Sequence, residues 1–247
     1  MQISDDIMLG PAFAGGPGVN SDGPSKMELG MGPMGRVYVY DITPAALAAN
    51  NIATTQNPGS GASFTLTAGA GVTAVTLADG TTGYQLDVPR AVRAVAAGAN
   101  TATYTISGYD VYGQRMTQTI AAPSTSTVTT TKAFKTITSI TNANAAATTN
   151  GVTIGTTDVF GLPVRVTNVA YVLNVKWDST LAANAGTFVA AVTTDPATAS
   201  TGDVRGTYLQ AGSASDGTRR LVMAIAVPAI GCGPNATRVG AYGVTQA

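Results

Sequence analysis

The closest groupings of acid and base in the chain are two short turns, Gly202-Asp203-Val204-Arg205-Gly206 and Ser215-Asp216-Gly217-Thr218-Arg219-Arg220. Two carboxylates held near each other can act as general acid and base, as in glycoside hydrolysis. Here the aspartates are scattered mainly over turns, and the flanking glycines mark both groupings as turn chemistry with local ion pairs. The chain offers them no reactive partner. It has no histidine, which excludes Ser-His-Asp and Cys-His relays and every imidazole-based metal set. The single Cys232 cannot form an intrachain disulfide. No phosphate loop ending in Gly-Lys-Ser/Thr is present. Gly69-Ala70-Gly71-Val72-Thr73-Ala74 matches a dinucleotide glycine spacing, but β-branched residues follow where that site needs a helix. The expectation is a protein that is not an enzyme and holds no cofactor and no metal.

Three further places carry residues suited to binding. Arg90 and Arg93 lie close together without an aromatic partner and read as solvated charges beside a strand. Trp177 is the one tryptophan, and in an alternating strand it reads as packing rather than as a sugar platform. Tyr109 and Tyr112 sit in a turn, where an aromatic ring can meet a partner. Thirteen basic and thirteen acidic residues cancel, and charged residues are 11% of the chain, so there is no basic stripe to neutralise phosphate. Nucleic acid is therefore not an expected partner. No apolar run approaches the length of a membrane span, and the acidic start MQISDD lacks the basic beginning of a secretory signal. Synthesis in a cytoplasm, without a membrane partner, is the expectation.

The elements that must position these residues read as strands. Twelve of the acidic residues are Asp and only Glu28 is Glu, lysine is scarce, and Thr, Ala and Gly dominate. That composition suits strands and turns better than amphipathic helices. Arg36–Ile42 alternates as a strand. Thr43, Pro44 and the alanines up to Asn50 predict one short helix, with Thr43 as its N-cap. Short strands follow at Phe64–Thr67, Val72–Leu77 and Tyr84–Val88. In Thr101–Ser107, Ala102, Tyr104 and Ile106 share one face, and the chain then turns through Gly108–Gln114. The return strand Arg115–Ile120 puts Met116, Gln118 and Ile120 on one side, and Phe134–Ile140 reads as a strand with a bulge. Val169–Asp178 alternates most cleanly, predicting a core face of Val169, Tyr171, Leu173, Val175 and Trp177. Leu221–Val227 is apolar on both parities and predicts a strand covered on both sides.

Residues 1–35 are crowded with Gly, Pro and Met and have no period of two or 3.6. They read as an extended arm that orders on a partner, since Met8, Leu9, Phe13, Met27, Leu29, Met31 and Met34 are too many apolar side chains for an inert linker. Residues 36–60 then supply a strand, the short helix and a linker, and residues 61–247 the β-rich body, with a division into two β subdomains near 142–151 left open.

The run SGYDVYGQRMTQTI, followed by KAFKTITSI, VTIG, FGLP, Trp177-Asp178, GDVRGTY and SDGTRR, resembles a pattern in head cement or decoration proteins of tailed bacteriophages. It covers about Thr101 to Val227. The resemblance implies an all-β protein, a β-sandwich or jelly-roll with an extended N-terminal arm and at most one short helix. It implies a virion structural protein, made in the host bacterial cytoplasm, that binds the capsid exterior and bridges major capsid protein subunits. Its partners would be the major capsid protein and other copies of itself, as dimer or trimer. The contact residues expected on that basis are Met8, Leu9, Phe13, Met27, Leu29, Met31 and Met34 of the arm and Tyr109 and Tyr112 of the turn. The alternative is a tail- or fibre-associated module that binds a receptor or carbohydrate through those tyrosines.

Overall fold

Thr, Val and Ile fill the segments between turn residues, and β-branched side chains suit a pleated, half-buried surface. The computed structural model, which describes residues 2–8, 34–121, 123–144, 146–181, 186–192 and 202–228, is accordingly all-β. Its strands are β1 (Gln2–Met8), β2 (Met34–Ile42), β3 (Ala53–Gln56), β4 (Val72–Thr76), β5 (Thr82–Ala96), β6 (Tyr104–Tyr109) and β7 (Arg115–Ile120). They continue as β8 (Val128–Asn142), β9 (Val152–Gly161), β10 (Val172–Trp177), β11 (Thr180–Leu181), β12 (Gly186–Val189), β13 (Thr207–Gln210) and β14 (Leu221–Pro228). Five form one sheet in the order β1-β2-β14-β10-β11; nine form the other, β12-β13-β9-β5-β8-β6-β7, with β3 added to β9 and β4 to β5.

Two apolar clusters hold these sheets. The first is enclosed by the larger sheet and gathers Leu86, Tyr104, Ile106, Met116, Phe134, Ile137, Ile140 and Ile154 with Ile52 and Phe64. The second lies between the sheets. Tyr38 and Tyr40 of β2, Trp177 of β10 and Leu221, Met223 and Ile225 of β14 meet Phe160 of β9, Tyr208 of β13 and Val88 of β5. Each such side chain, fully buried, contributes roughly 1.5–3 kcal/mol before entropy is charged against it.

The hairpin and the strand after it follow the alternation. β7 buries Met116, Gln118 and Ile120 and exposes the residues between them. The bulge in β8 falls at Thr138: Ser139 stands opposite Ser107 and Ile137 opposite Gly108, leaving Thr138 unopposed. Gln118 belongs to the buried face because it closes a gap in the ladder. Its amide oxygen accepts from Thr131 N and Lys132 N at 3.0 Å each, and its amide nitrogen donates to Thr131 Oγ1.

Elsewhere tertiary partners override local pattern. The helix expected over 43–50 does not form. Ala45 N donates to Asp87 Oδ2, Leu47 N to Ser215 O, and Thr156 N to Ala48 O, so the backbone is spent on the body. A one-turn helix has too few bonds of its own to compete. Gly155 permits this contact, since a Cβ there would lie 2.1 Å from Ala48 O. Phe64–Thr67 forms no strand either: Gln56 holds Thr65 through both ends of its side-chain amide.

The strand expected over Val169–Asp178 is shorter. Asn168 accepts from Ala170 N and starts a 3-10 turn over Val169–Tyr171. Leu173 is then an extra residue in β10, because Val172 stands opposite Ile225 and Asn174 opposite Ala224. Val175 and Trp177 are buried as the alternation requires, while Val169 and Leu173 are 59% and 58% exposed. On β14, Leu221, Met223 and Ile225 are buried on one face, and on the other Ala226 is buried while Val222 and Ala224 are half-buried, so the strand is covered on both sides, less fully on the second.

At the N-terminal end, β1 pairs with β2 and Met8 stands opposite Met34. The chain therefore leaves and re-enters the small sheet at one point, beside Pro228, which is paired with Gly35. Leu9, Phe13, Met27, Leu29 and Met31 lie outside the described residues.

Candidate functional site

The tip of the β6–β7 hairpin holds both tyrosines expected to make contacts. Asp110 builds the turn: its Oδ1 accepts from Tyr112 N and Gln114 N at 2.8 Å each, and Gly113 takes the left-handed conformation with φ +78. Asp110 Oδ2 accepts from Arg205 Nη1 at 2.8 Å, which fastens the tip to the turn before β13. Both members of that pair are buried. The Arg205 guanidinium also lies over the Tyr112 ring, 5.5 Å from its centroid, and the Tyr112 hydroxyl donates to Pro163 O at 2.7 Å. Tyr112 is 54% exposed, yet its hydroxyl and one side of its ring serve the fold. Tyr109 is half-buried and lines a cleft of about 430 Å³ with Leu77, Asp79, Gln85, Lys135 and Thr136. The structure thus brings Tyr109 and Tyr112 together at the tip, far along the chain from Met8 and Met34, which pair with each other in the small sheet.

Beneath the tip the turn grouping Gly202–Gly206 is interior. Asp203 is buried, with Oδ1 accepting from Arg205 N and Oδ2 from Ala133 N. Burial pushes its carboxyl above the ordinary carboxylate value, against the pull of Arg205. Lys132, next to Ala133, is also buried; its amine donates to Thr117 O, and burial lowers its pKa against the opposing effect of Asp203. The local ion pairs expected of exposed turns are here a desolvated set. The other grouping behaves as the sequence suggests. Asp216 accepts from Thr218 N, Thr218 Oγ1 and Arg219 N in a surface turn, and these bonds bring its carboxyl down to about 2.

A second ionic cluster centres on Arg90, which is fully buried and not the solvated charge its sequence context suggests. All five guanidinium N–H groups have acceptors: Nε donates to Thr157 O, Nη1 to Ala45 O and Asp87 Oδ1, and Nη2 to Asp158 Oδ1 and Ser215 Oγ. The Phe160 ring lies 5.4 Å from its carbon. Asp158 Oδ2 in turn accepts from Gln210 Nε2 and Ser215 N. One side chain so joins β5, β9, the 43–50 segment and the loop after β13. The sequence held one signal for this: Arg90 shares its parity with Val88 and Val92, and a cation in an apolar stripe is either paired or misplaced. Arg93 is half-buried, and desolvation lowers its pKa.

A general acid or nucleophile needs a lone pair or proton aimed at open space, whereas Arg90, Asp158 and Asp110 are buried and spend their charged atoms on one another, on Arg205 and on neighbouring backbone. Gly69–Ala74 leads into β4, not into a helix, so the dinucleotide spacing builds no phosphate site. Trp177 is buried, donating from Nε1 to Ser213 O, with Phe160 6.1 Å away. Among the described residues no group of three His, Cys, Asp or Glu side chains could hold a metal ion, and no helix is long and apolar enough to cross a membrane. In comparisons with known proteins, no family model, curated protein or solved structure matches the chain.

Proposed function

We propose that this chain is a structural protein of a tailed-bacteriophage virion, made in the bacterial cytoplasm, that binds the outside of the capsid shell and bridges neighbouring major capsid protein subunits. The observation that carries this is the use of buried charge as clamps. Arg90 with Asp158, and Arg205 with Asp110, tie distant parts of the chain into a stiff body and leave those polar atoms no ligand to serve. A rigid spacer is what a bridging protein needs, because a compliant one would absorb the strain it is meant to oppose. The resemblance over Thr101–Val227 supplies the capsid context. The apolar side chains that the sequence reads as an arm, most of them between Met8 and Met34 in the chain, would supply capsid contacts, and Met8 and Met34 themselves stand opposite each other in the small sheet.

The same register defines the test. Adjacent antiparallel strands need only a two-residue turn, so residues 9–33 can be replaced by Asn-Gly with β1 and β2 left intact. The shortened protein is expected to keep the wild-type melting temperature and to lose co-sedimentation with capsid shells that lack the protein. Undiminished co-sedimentation would sink the proposal.

A further inference from the structure

Beside the β6–β7 tip, the outer face of the larger sheet carries polar side chains that the fold leaves unspent. Arg115 of β7 stands opposite Tyr109 of β6, Tyr109 opposite Thr136 of β8, and Thr136 opposite Gln85 of β5, so the four make one row across the sheet. Residues directly opposite in an antiparallel ladder point to the same side. Their chain neighbours Met116, Ile137 and Leu86 belong to the enclosed core, so the row points outward. Three strand spacings of about 4.8 Å give it a length of roughly 14 Å. Tyr109 lines the hollows on both sides of it. One is a cleft of about 320 Å³ shared with Ser107, Arg115, Thr117 and Thr138; the other is the cleft of about 430 Å³ between the β6–β7 tip and Leu77–Asp79 of the β4–β5 turn. Each has the size of a small-ligand site.

The chemistry of this groove suits a neutral polyol. Gln85 is exposed, and among the described residues its amide, the Tyr109 hydroxyl and the Ser107 hydroxyl have no hydrogen-bond partner. A carboxamide sets donors beside an acceptor, and a hydroxyl is both. Adjacent hydroxyls of a pyranose ring are also donor and acceptor at once, and its C–H face can lie on an aromatic ring. The charges nearby offset one another, Arg115 and Lys135 against Asp79 and Asp87. Hydrogen bonds from Thr81 hold the Asp79 carboxyl below its ordinary range, and Arg115 adds to that pull. Lys135 spends its amine on Leu86 O and Asp87 O. A groove so balanced has no field to select an anion. An extended peptide is the less suited occupant. β5, β8 and β6 each have a strand on both sides, so the floor offers side chains and no free backbone edge.

We infer that the groove across Arg115, Tyr109, Thr136 and Gln85 binds a short neutral oligosaccharide, with one pyranose ring against Tyr109 and its hydroxyls on Gln85 and Ser107. The fold thereby gives the aromatic contact to Tyr109 and not to Tyr112, whose hydroxyl is spent on Pro163 O and whose ring lies under Arg205. An open groove with few contacts binds at about millimolar strength per site, and copies held side by side raise that by avidity. The inference does not rest on the capsid proposal. Its test uses the purified full-length chain alone, so the two fail separately.

The nitrogen-15-labelled chain is titrated with maltotriose, cellotriose and triacetylchitotriose as neutral probes and with trigalacturonate as an anionic one. At least one neutral probe is expected to give saturable amide shifts confined to the strands and turns that line the groove. Tyr109→Ala and Gln85→Ala should each weaken that binding by about tenfold or more. Gln85 is exposed and has no partner of its own to lose, so Gln85→Ala carries the test if Tyr109→Ala misfolds. Absence of shifts with all three neutral probes overturns the inference. So do shifts centred away from the groove, tighter binding of trigalacturonate, or a natively melting Gln85→Ala chain that binds like wild type.

Discussion

Replacing Arg90 by Met separates the clamp seen here from the solvated charge that its sequence context suggests. An exposed arginine with an ion pair contributes at most about 1 kcal/mol. The buried one is a different case. Its removal leaves Asp158, 7% exposed, without its paired cation, keeping hydrogen bonds from Ser215 and Gln210 and the weaker electrostatic attraction of Arg93. Breaking a buried pair from one side costs about 3–5 kcal/mol. Thr157 O and Ala45 O lose donors as well, at about 1 kcal/mol or more each where no other partner reaches them. Methionine returns part of this through its contact with Phe160, so the expected loss is about 5 kcal/mol. That is a third to all of an ordinary domain's stability of about 5–15 kcal/mol. In a chain of 247 residues it should lower the melting temperature by about 10–20 °C.

Urea unfolding of wild type, Arg90→Met, Asp158→Asn and the double variant measures this directly. If the ions hold each other, the double variant should lose about 2 kcal/mol less than the sum of the singles, since removing the second charge relieves the first. A loss below about 1 kcal/mol for Arg90→Met, or strict additivity, would refute the clamp. Arg90→Lys is expected to fail nearly as badly, because an ammonium cannot reach five acceptors spread over a guanidinium fork.

Two smaller changes test neighbouring features. The Tyr40 hydroxyl is buried with no hydrogen-bond partner among the described residues, and burial, with Asp87 second, raises its pKa; Tyr40→Phe should therefore stabilise by about 1 kcal/mol, and a lower melting temperature would show that the hydroxyl is satisfied. Asp216, at about 2, has a folded-state pKa below its ordinary 3.8, so between those values the unfolded chain binds more protons and stability rises with pH. Its contribution is complete above 3.8 and lost as pH falls through about 2, which carboxyl-carbon NMR titration of Asp216 checks against Asp216→Asn; a midpoint near 3.8 would remove the turn's hydrogen bonds from the account.

What the sequence disclosed depended on whether a residue's fate is set by its chain neighbours or by distant ones. Alternation in β7 placed Gln118 on the face of Met116 and Ile120, and the irregular spacing of Phe134, Ile137 and Ile140 predicted a bulge, because pleat and register are local. The same logic failed where the extra residue Leu173 turns out of the β10–β14 ladder and the Asn168-capped 3-10 turn carries Val169, putting two of five expected core residues in solvent. It failed for the 43–50 helix, whose peptide groups are claimed by β5, β9 and the 211–220 loop.

The larger miss concerns charge. By sequence Arg90 and Arg93 read as solvated charges, and the Asp/Arg turns as local ion pairs. Yet Arg90, Arg205, Lys132, Asp110, Asp158 and Asp203 are all buried, each beside residues remote in the chain, and no local pattern reveals such pairings. Those ions are withdrawn from a surface that had few, which leaves the exterior more neutral than composition alone implies.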